Sequence, residues 1–370
     1  MSADLPTQLP FPRKSVSQTQ LQRERFAAGL VKPIVSPEQQ LSLFDAFAAG
    51  TPSAYTNLLE FFDALPKFIL TPQSSVQSGG KNLEIAEFNF AWGDVDCQVS
   101  ITPTVVKAKG KNGETVRKEL LPGPREETVY RVLRKMASDP DVSKRVKGES
   151  IVLRCSIYHL RSRLAAVGHE FKASEIREAL EVLGQTPLRV TNLSTKKTIY
   201  SGSYITLAYA ADETDIKGDR TLVEFSFNRL AVVAITQGLY DRIHYERLMG
   251  LNPLPGWIYE LIVRNFRQAG ADCGYTLSMS RVLRESGLPP RKDARGNLRQ
   301  IREALKQLQD NKVLAEYPPI KESIEKSSSG SRGRKAIKDV VWTLFPSQEV
   351  IDDIKNDNAG KKTRRLELGA

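Results

Sequence analysis

The sequence predicts an α+β chain in which one succession of elements (helix, strand, helix, turn, helix, β-hairpin) occurs twice in tandem, behind a small β-meander and a disordered N-terminal segment. Three observations predict it. Apolar residues recur first at helical spacing and then in alternation, in the same order, along 126–227 and again along 239–346. The chain has 370 residues, 40% of them hydrophobic, enough for two or three domains. Its net charge of +11 is uneven: −1 over 1–110, +5 over 111–220, balanced over 221–280, +7 over 281–340 and balanced again to the end. Two basic blocks flanking a neutral one point to two contact surfaces for a polyanion.

Residues 1–36, rich in Ser, Gln and Pro, are predicted to be disordered. The segment 37–81 carries short apolar runs, a helix over 57–65 stopped by Pro66, and a Ser/Gln/Gly linker. The segment 82–121 reads as a β-meander, with LEIAEFNFAW and VDCQVSITPTVV turning at Gly93-Asp94 and TVRKELL following. The first repeated unit, 122–236, runs through helices at 126–138, 157–168 and 171–184 with a strand at 151–156. The β-runs PLRVTNL and TIYSGSYITLAYA around STKK follow, and a strand at 221–227 closes it. The second unit, 237–348, has helices at 239–249, 256–270, 278–287 and 294–310, a strand at 275–278, and β-runs at 312–317 and 340–346. Residues 349–370 form a C-terminal tail whose KKTRR run is either an added phosphate contact or a solvated end.

This element order is that of two tandem winged helix-turn-helix domains, in which the last helix buries one face and offers the other to a DNA major groove. On 294–310, Arg295, Arg299, Arg302 and Lys306 form one stripe, about a third of a turn from the apolar stripe of Leu298, Ile301, Leu305 and Leu308. Arg291 and Lys292 stand just before it, where such helices first meet base edges. Arginine donates bidentately to guanine, and either residue type neutralises phosphate. The loop 326–338 supplies Arg332, Arg334, Lys335 and Lys338 among Ser and Gly, a wing that conforms to phosphates. In the first unit the candidates are Lys172, Arg177 and, at the hairpin tip, Lys196 and Lys197. Three glutamates on the same helix leave open whether this unit reads bases or mainly dimerises.

A second signal is Gln40-Leu41-Ser42-Leu43-Phe44. It resembles the pentapeptide that binds the bacterial sliding clamp, in which Leu41, Leu43 and Phe44 would fill an apolar cleft and Gln40 would bond at its rim. The alternative is an ordinary amphipathic turn packing on the meander.

Several chemistries are not visible. GxxxxGK[ST] is missing, so ATP hydrolysis is not expected. His159, His169 and His244 have no metal-pair spacing, Cys97, Cys155 and Cys273 include no CxxC pair, and no nucleophile, base and orienter set is found. No catalytic residue, metal ligand or cofactor is therefore assigned, and the chain is expected not to be an enzyme. Sparse cysteines, no apolar span and no secretory signal suit a cytoplasmic protein without a membrane partner.

The tandem arrangement resembles the replication initiators of theta-replicating plasmids, the RepA/RepE/Pi and TrfA type. The stretch LVEFSFNRLAVVAITQGLYDRIHYERLMGLNPLPGWIYELIVRNF (222–266), with Tyr259-Glu260-Leu261, carries the resemblance best, and it extends over about 125–346. It implies binding to repeated double-stranded origin DNA (iterons), recruitment of a host helicase and initiator, monomers active at the origin, dimers that repress, and no intrinsic enzymatic activity. The rival is a winged-helix transcriptional regulator on a palindromic operator.

Overall fold

The computed structural model describes residues 36–70, 75–77, 83–92, 95–109, 115–139, 142–147, 150–209, 221–266, 269–270, 273–291, 293–326 and 337–367. The predicted disorder of the N-terminal segment lies outside them, apart from Ser36.

Ser36 opens α1 (Pro37–Ala49) with a reciprocal capping box, its hydroxyl accepting from the Gln39 amide while the Gln39 side chain accepts from the Ser36 amide. β1 (Tyr55–Leu59) and a single 3-10 turn (Phe62–Ala64) come next, where the sequence predicted a helix. The segment is extended because it pairs antiparallel with Tyr240–His244, remote in the chain, and four of its five residues are buried. β2 (Ser75–Gln77), β3 (Ala86–Trp92), β4 (Val95–Ile101), β5 (Thr104–Lys109) and β6 (Thr115–Leu120) follow. The strands expected at 82–121 form, but they divide between two sheets. β5 and β6 join β2 in the order β2-β6-β5, whereas β3 and β4 join the first unit.

That unit contains α2 (Pro124–Ala137), β7 (Ser143–Lys147), β8 (Ser150–Ser156), α3 (Ile157–Ala166), α4 (Ala173–Gln185), β9 (Leu188–Asn192), β10 (Thr198–Gly202), β11 (Ile205–Tyr209) and β12 (Leu222–Phe227). The run 198–210, which reads as one strand, breaks at Ser203-Tyr204. There the fully buried Tyr204 hydroxyl donates to the Lys67 carbonyl. β9 and β10 lie in the order β10-β9-β4-β3, and β11 and β12 in the order β11-β12-β8-β7.

α5 (Arg229–Thr236), β13 (Tyr240–His244) and α6 (Tyr245–Met249) connect the units. A single helix was predicted over 239–249. The chain instead pairs β13 with β1 and starts α6 at His244, whose ring Nδ1 lies 3.4 Å from the Arg247 amide. The second unit is α7 (Pro253–Asn265), β14 (Tyr275–Ser278), α8 (Met279–Glu285), α9 (Ala294–Asp310), β15 (Lys321–Lys326) and β16 (Ile337–Leu344), with α10 (Gln348–Glu367) in place of the predicted tail. Its sheet order is β14-β16-β15. The wing strand predicted at 312–317 is not one, save for an isolated bridge at Leu314. The strand is 321–326, all of it exposed, so no apolar alternation marked it.

The two units repeat one construction. β8 and β14 each end in a serine, Ser156 and Ser278, whose hydroxyl caps the next helix at 3.0 and 3.2 Å. Each of those helices is followed by a glycine in the left-handed region, Gly168 at φ +83° and Gly287 at φ +77°. At Gly287 a Cβ would also stand 2.0 Å from the Phe68 carbonyl oxygen. The closing strand then returns beside the first, β12 on β8 and β16 on β14.

One apolar core runs through both units, with Tyr130, Leu153 and Leu180 in the first and Ile258, Ile301 and Trp342 in the second. Where the two opening helices meet, the contact is ionic. Arg134 of α2 lies 2.9 Å from Asp63 and 3.4 Å from Glu260 of α7, Arg131 lies 2.9 Å from Glu127 and 3.4 Å from Glu260, and Lys67 lies 3.1 Å from Asp63. A Cβ on Gly256 would come within 2.9 Å of the Arg131 guanidinium, so a larger residue there would push the arginine aside.

Candidate nucleic-acid interface

The second unit fixes α9 at its start. Asp293 caps α9, its Oδ1 accepting from the Gly296 amide at 2.5 Å. The buried Asn297 accepts from the Arg291 amide at 2.8 Å and donates to the Arg291 carbonyl at 3.2 Å. This clamp fixes the backbone that enters the helix. Sequence reasoning missed Asn297, although an amide side chain on the buried face of an amphipathic helix is an anomaly that spacing alone exposes. Leu298, Ile301, Ala304, Leu305 and Leu308 fill the core.

On the adjacent face Arg295, Arg299, Arg302 and Lys306 are all exposed, and Arg291 is exposed at the entrance. They form the single stripe that the spacing predicts, on a helix whose other side holds the unit together. Arg299 makes only a loose approach to Glu303, 3.9 Å with both side chains 71% exposed. Arg302 is different. Its guanidinium grips both oxygens of Glu322 on β15, and the same carboxylate accepts from the Trp342 indole N–H at 2.9 Å. The Arg302 guanidinium, helped by that N–H, holds the Glu322 carboxyl below its ordinary value. Arg302 is thus aimed by the wing sheet, which a stripe count does not reveal. Ser280 ties the start of α8 to the same sheet, its amide and hydroxyl donating to Asp339 at 3.0 and 2.6 Å.

Lys338 is exposed at the wing base and pairs with Glu325 at 2.8 Å. Lys292, Arg332, Arg334 and Lys335 lie outside the described residues.

The first unit does not assemble an equivalent surface. Ile176, Ala179, Leu180 and Leu183 of α4 pack inward, and Val182 is covered by Val106 and Leu120 of the β5–β6 hairpin. Glu178 pairs with Arg125 at 2.8 Å. Lys172 is exposed and sits at the cap of α4, while the Arg177 guanidinium donates to Thr221 at 3.3 Å. Lys196 and Lys197 are exposed, but their hairpin belongs to the β3–β4 sheet. The winged-helix position is the β11–β12 connection, 210–220, outside the described residues. The hairpin following α4 has no counterpart among the described strands of the second unit, so Lys196 and Lys197 do not stand where β15 and β16 do.

The clamp-like peptide is helical. It forms the middle of α1, with Ser42 exposed, Leu41 and Leu43 half-buried, and Phe44 fully buried at 6.1 Å from the Phe47 ring. Gln40 lies in the same helix. Phe44, the expected anchor for a partner's pocket, already packs in this chain's own core. The helix packs against α5, β7 and β8, not on the meander as the alternative had it. In the tail, Lys361 is buried against Asp241 rather than free for phosphate.

A cleft of about 640 Å³ separates the units, lined among others by Leu120, Arg125, Glu178, Pro253, Gln300 and Gln307. Among the described residues no group of three or more His, Cys, Asp or Glu is placed to hold a metal, and no helix is long and apolar enough to cross a membrane.

Fold and surface together define a tandem winged-helix protein. No family model matches the chain, and no curated protein matches it. It is similar to two crystal structures of domains 2 and 3 of RctB. One has TM-score 0.45 at 9% identity, covering 85% of this chain and 99% of that one. The other has 0.41 at 8% identity, covering 78% and 98%.

Proposed function

We propose that the chain is a sequence-specific duplex DNA-binding protein that acts as a replication initiator, working by binding rather than by catalysis. The observation that carries the binding is α9: a helix with one face locked in the core, four cations exposed on the adjacent face, and its entry and one arginine fixed by neighbouring side chains. Preorganised donors of this kind lose little freedom on meeting base edges and phosphates. The initiator role rests on the resemblance of 125–346 to the plasmid initiators. With it come binding to repeated origin sites, recruitment of host replication proteins and repression by dimers. The second unit reads the site, and the first adds backbone contacts.

The test is a footprint on DNA flanking the chain's own gene. Several direct repeats beside an A·T-rich tract are expected, and a single palindrome would favour a transcriptional regulator. In the same assay, Arg295→Ala/Arg299→Ala/Arg302→Ala is expected to abolish the footprint with a native circular dichroism spectrum. A footprint kept by this variant would refute the assigned helix.

A further inference from the structure

The β5–β6 hairpin carries a charge arrangement that the fold itself does not call for. Lys107 and Arg117 are directly opposite each other in its register, and both are exposed. Like charges opposite one another across two strands destabilise the pairing. Neither side chain has an ion-pair partner among the described residues. Glu119, two pairs along and on the same face, instead accepts from the Leu83 amide at 2.7 Å. The opposite face is fixed: Val106 and Leu120, 2% and 4% exposed, seat the hairpin on Val182 of α4 in a small apolar cluster of their own. The hairpin is therefore a mount, with Val106 and Leu120 seated on the last helix of the first unit and Lys107 and Arg117 on the face away from it. Leu120 at its base lines the same cleft as Gln300 and Gln307 of α9, so it stands beside the helix assigned to DNA.

We propose that this hairpin, rather than α4, is the first unit's contact with nucleic acid, and that Lys107 and Arg117 neutralise phosphates of the duplex bound by α9. This rests on the duplex-binding function above. A polyanion with regularly spaced charges relieves the repulsion between the two cations, and each neutralised phosphate contributes about 0.9 to the slope of log affinity against log salt.

The experiment uses the full chain and a fluorescein-labelled duplex of mixed sequence, with anisotropy titrations over a salt series. Lys107→Gln/Arg117→Gln is expected to lower the slope by about 1.8, for two phosphates. Arg117→Glu converts the repulsive pair into an attractive one. It is expected to raise the melting temperature while weakening DNA binding, opposite movements that a purely structural role would not give. Unchanged affinity and slope in both variants would overturn the hairpin contact, provided that Arg295→Ala/Arg299→Ala still loses binding. If that α9 variant also binds normally, the duplex-binding function is what fails.

Discussion

Asp63 is a single carboxylate on which three elements depend. Burial pushes it up, but Arg134 and Lys67 more than offset this and hold it at about 2, against 3.8 in an unfolded chain. A carboxyl depressed on folding contributes stability that is present above its unfolded value and lost as pH falls through its folded one. The protein is therefore expected to keep this contribution down to about pH 4 and lose it toward pH 2. Asp63→Ala removes the ion-pair partner of buried Lys67 and leaves buried Arg134 with Glu260 alone, and urea denaturation at neutral pH should show a loss of about 3–5 kcal/mol. The variant should lack the Asp63 share of the acid limb. None of this network was legible in the sequence, since its members come from a 3-10 turn, α2 and α7. The stripe from Arg295 to Lys306 was legible because cations on one helical face are a matter of local spacing. What those cations touch was not: Glu322 and Trp342 lie on strands whose register the sequence does not reveal.

At the scale of elements, success and failure separate by how local each element's cause is. The capped, amphipathic helices of both units emerge close to their expected positions, because caps and apolar stripes are written within a dozen residues. β1 and β13 were both read as helix, and each is a strand only because the other exists. β15 was passed over because no residue in it is buried. α1 shows the reverse case, in which a short motif matched a partner-binding pattern and the helix packs on its own chain. Phe44→Ala should accordingly cost about 3–5 kcal/mol in urea denaturation. If stability holds and clamp pull-down fails instead, Phe44 belongs to a partner's pocket.

Over the whole molecule, the two units share one core and a buried ionic joint, so heating is expected to unfold them together. Differential scanning calorimetry should show one transition, and two well-separated ones would mean that the joint contributes little. A second tie works from the far end. α10 leaves the second unit and returns to the β1–β13 ribbon, where Asp353 accepts from the Tyr55 hydroxyl at 2.5 Å, Asp357 accepts from the Arg242 amide at 3.0 Å, and Lys361 pairs with Asp241. The connection between units is thus spanned twice, once by the chain passing through β13 and once by the helix coming back to it. A body strapped in this way has no free hinge. The spacing between its two arms is set during folding, so a duplex bound as proposed would meet a caliper of fixed opening and would itself have to supply any bend that the fit requires.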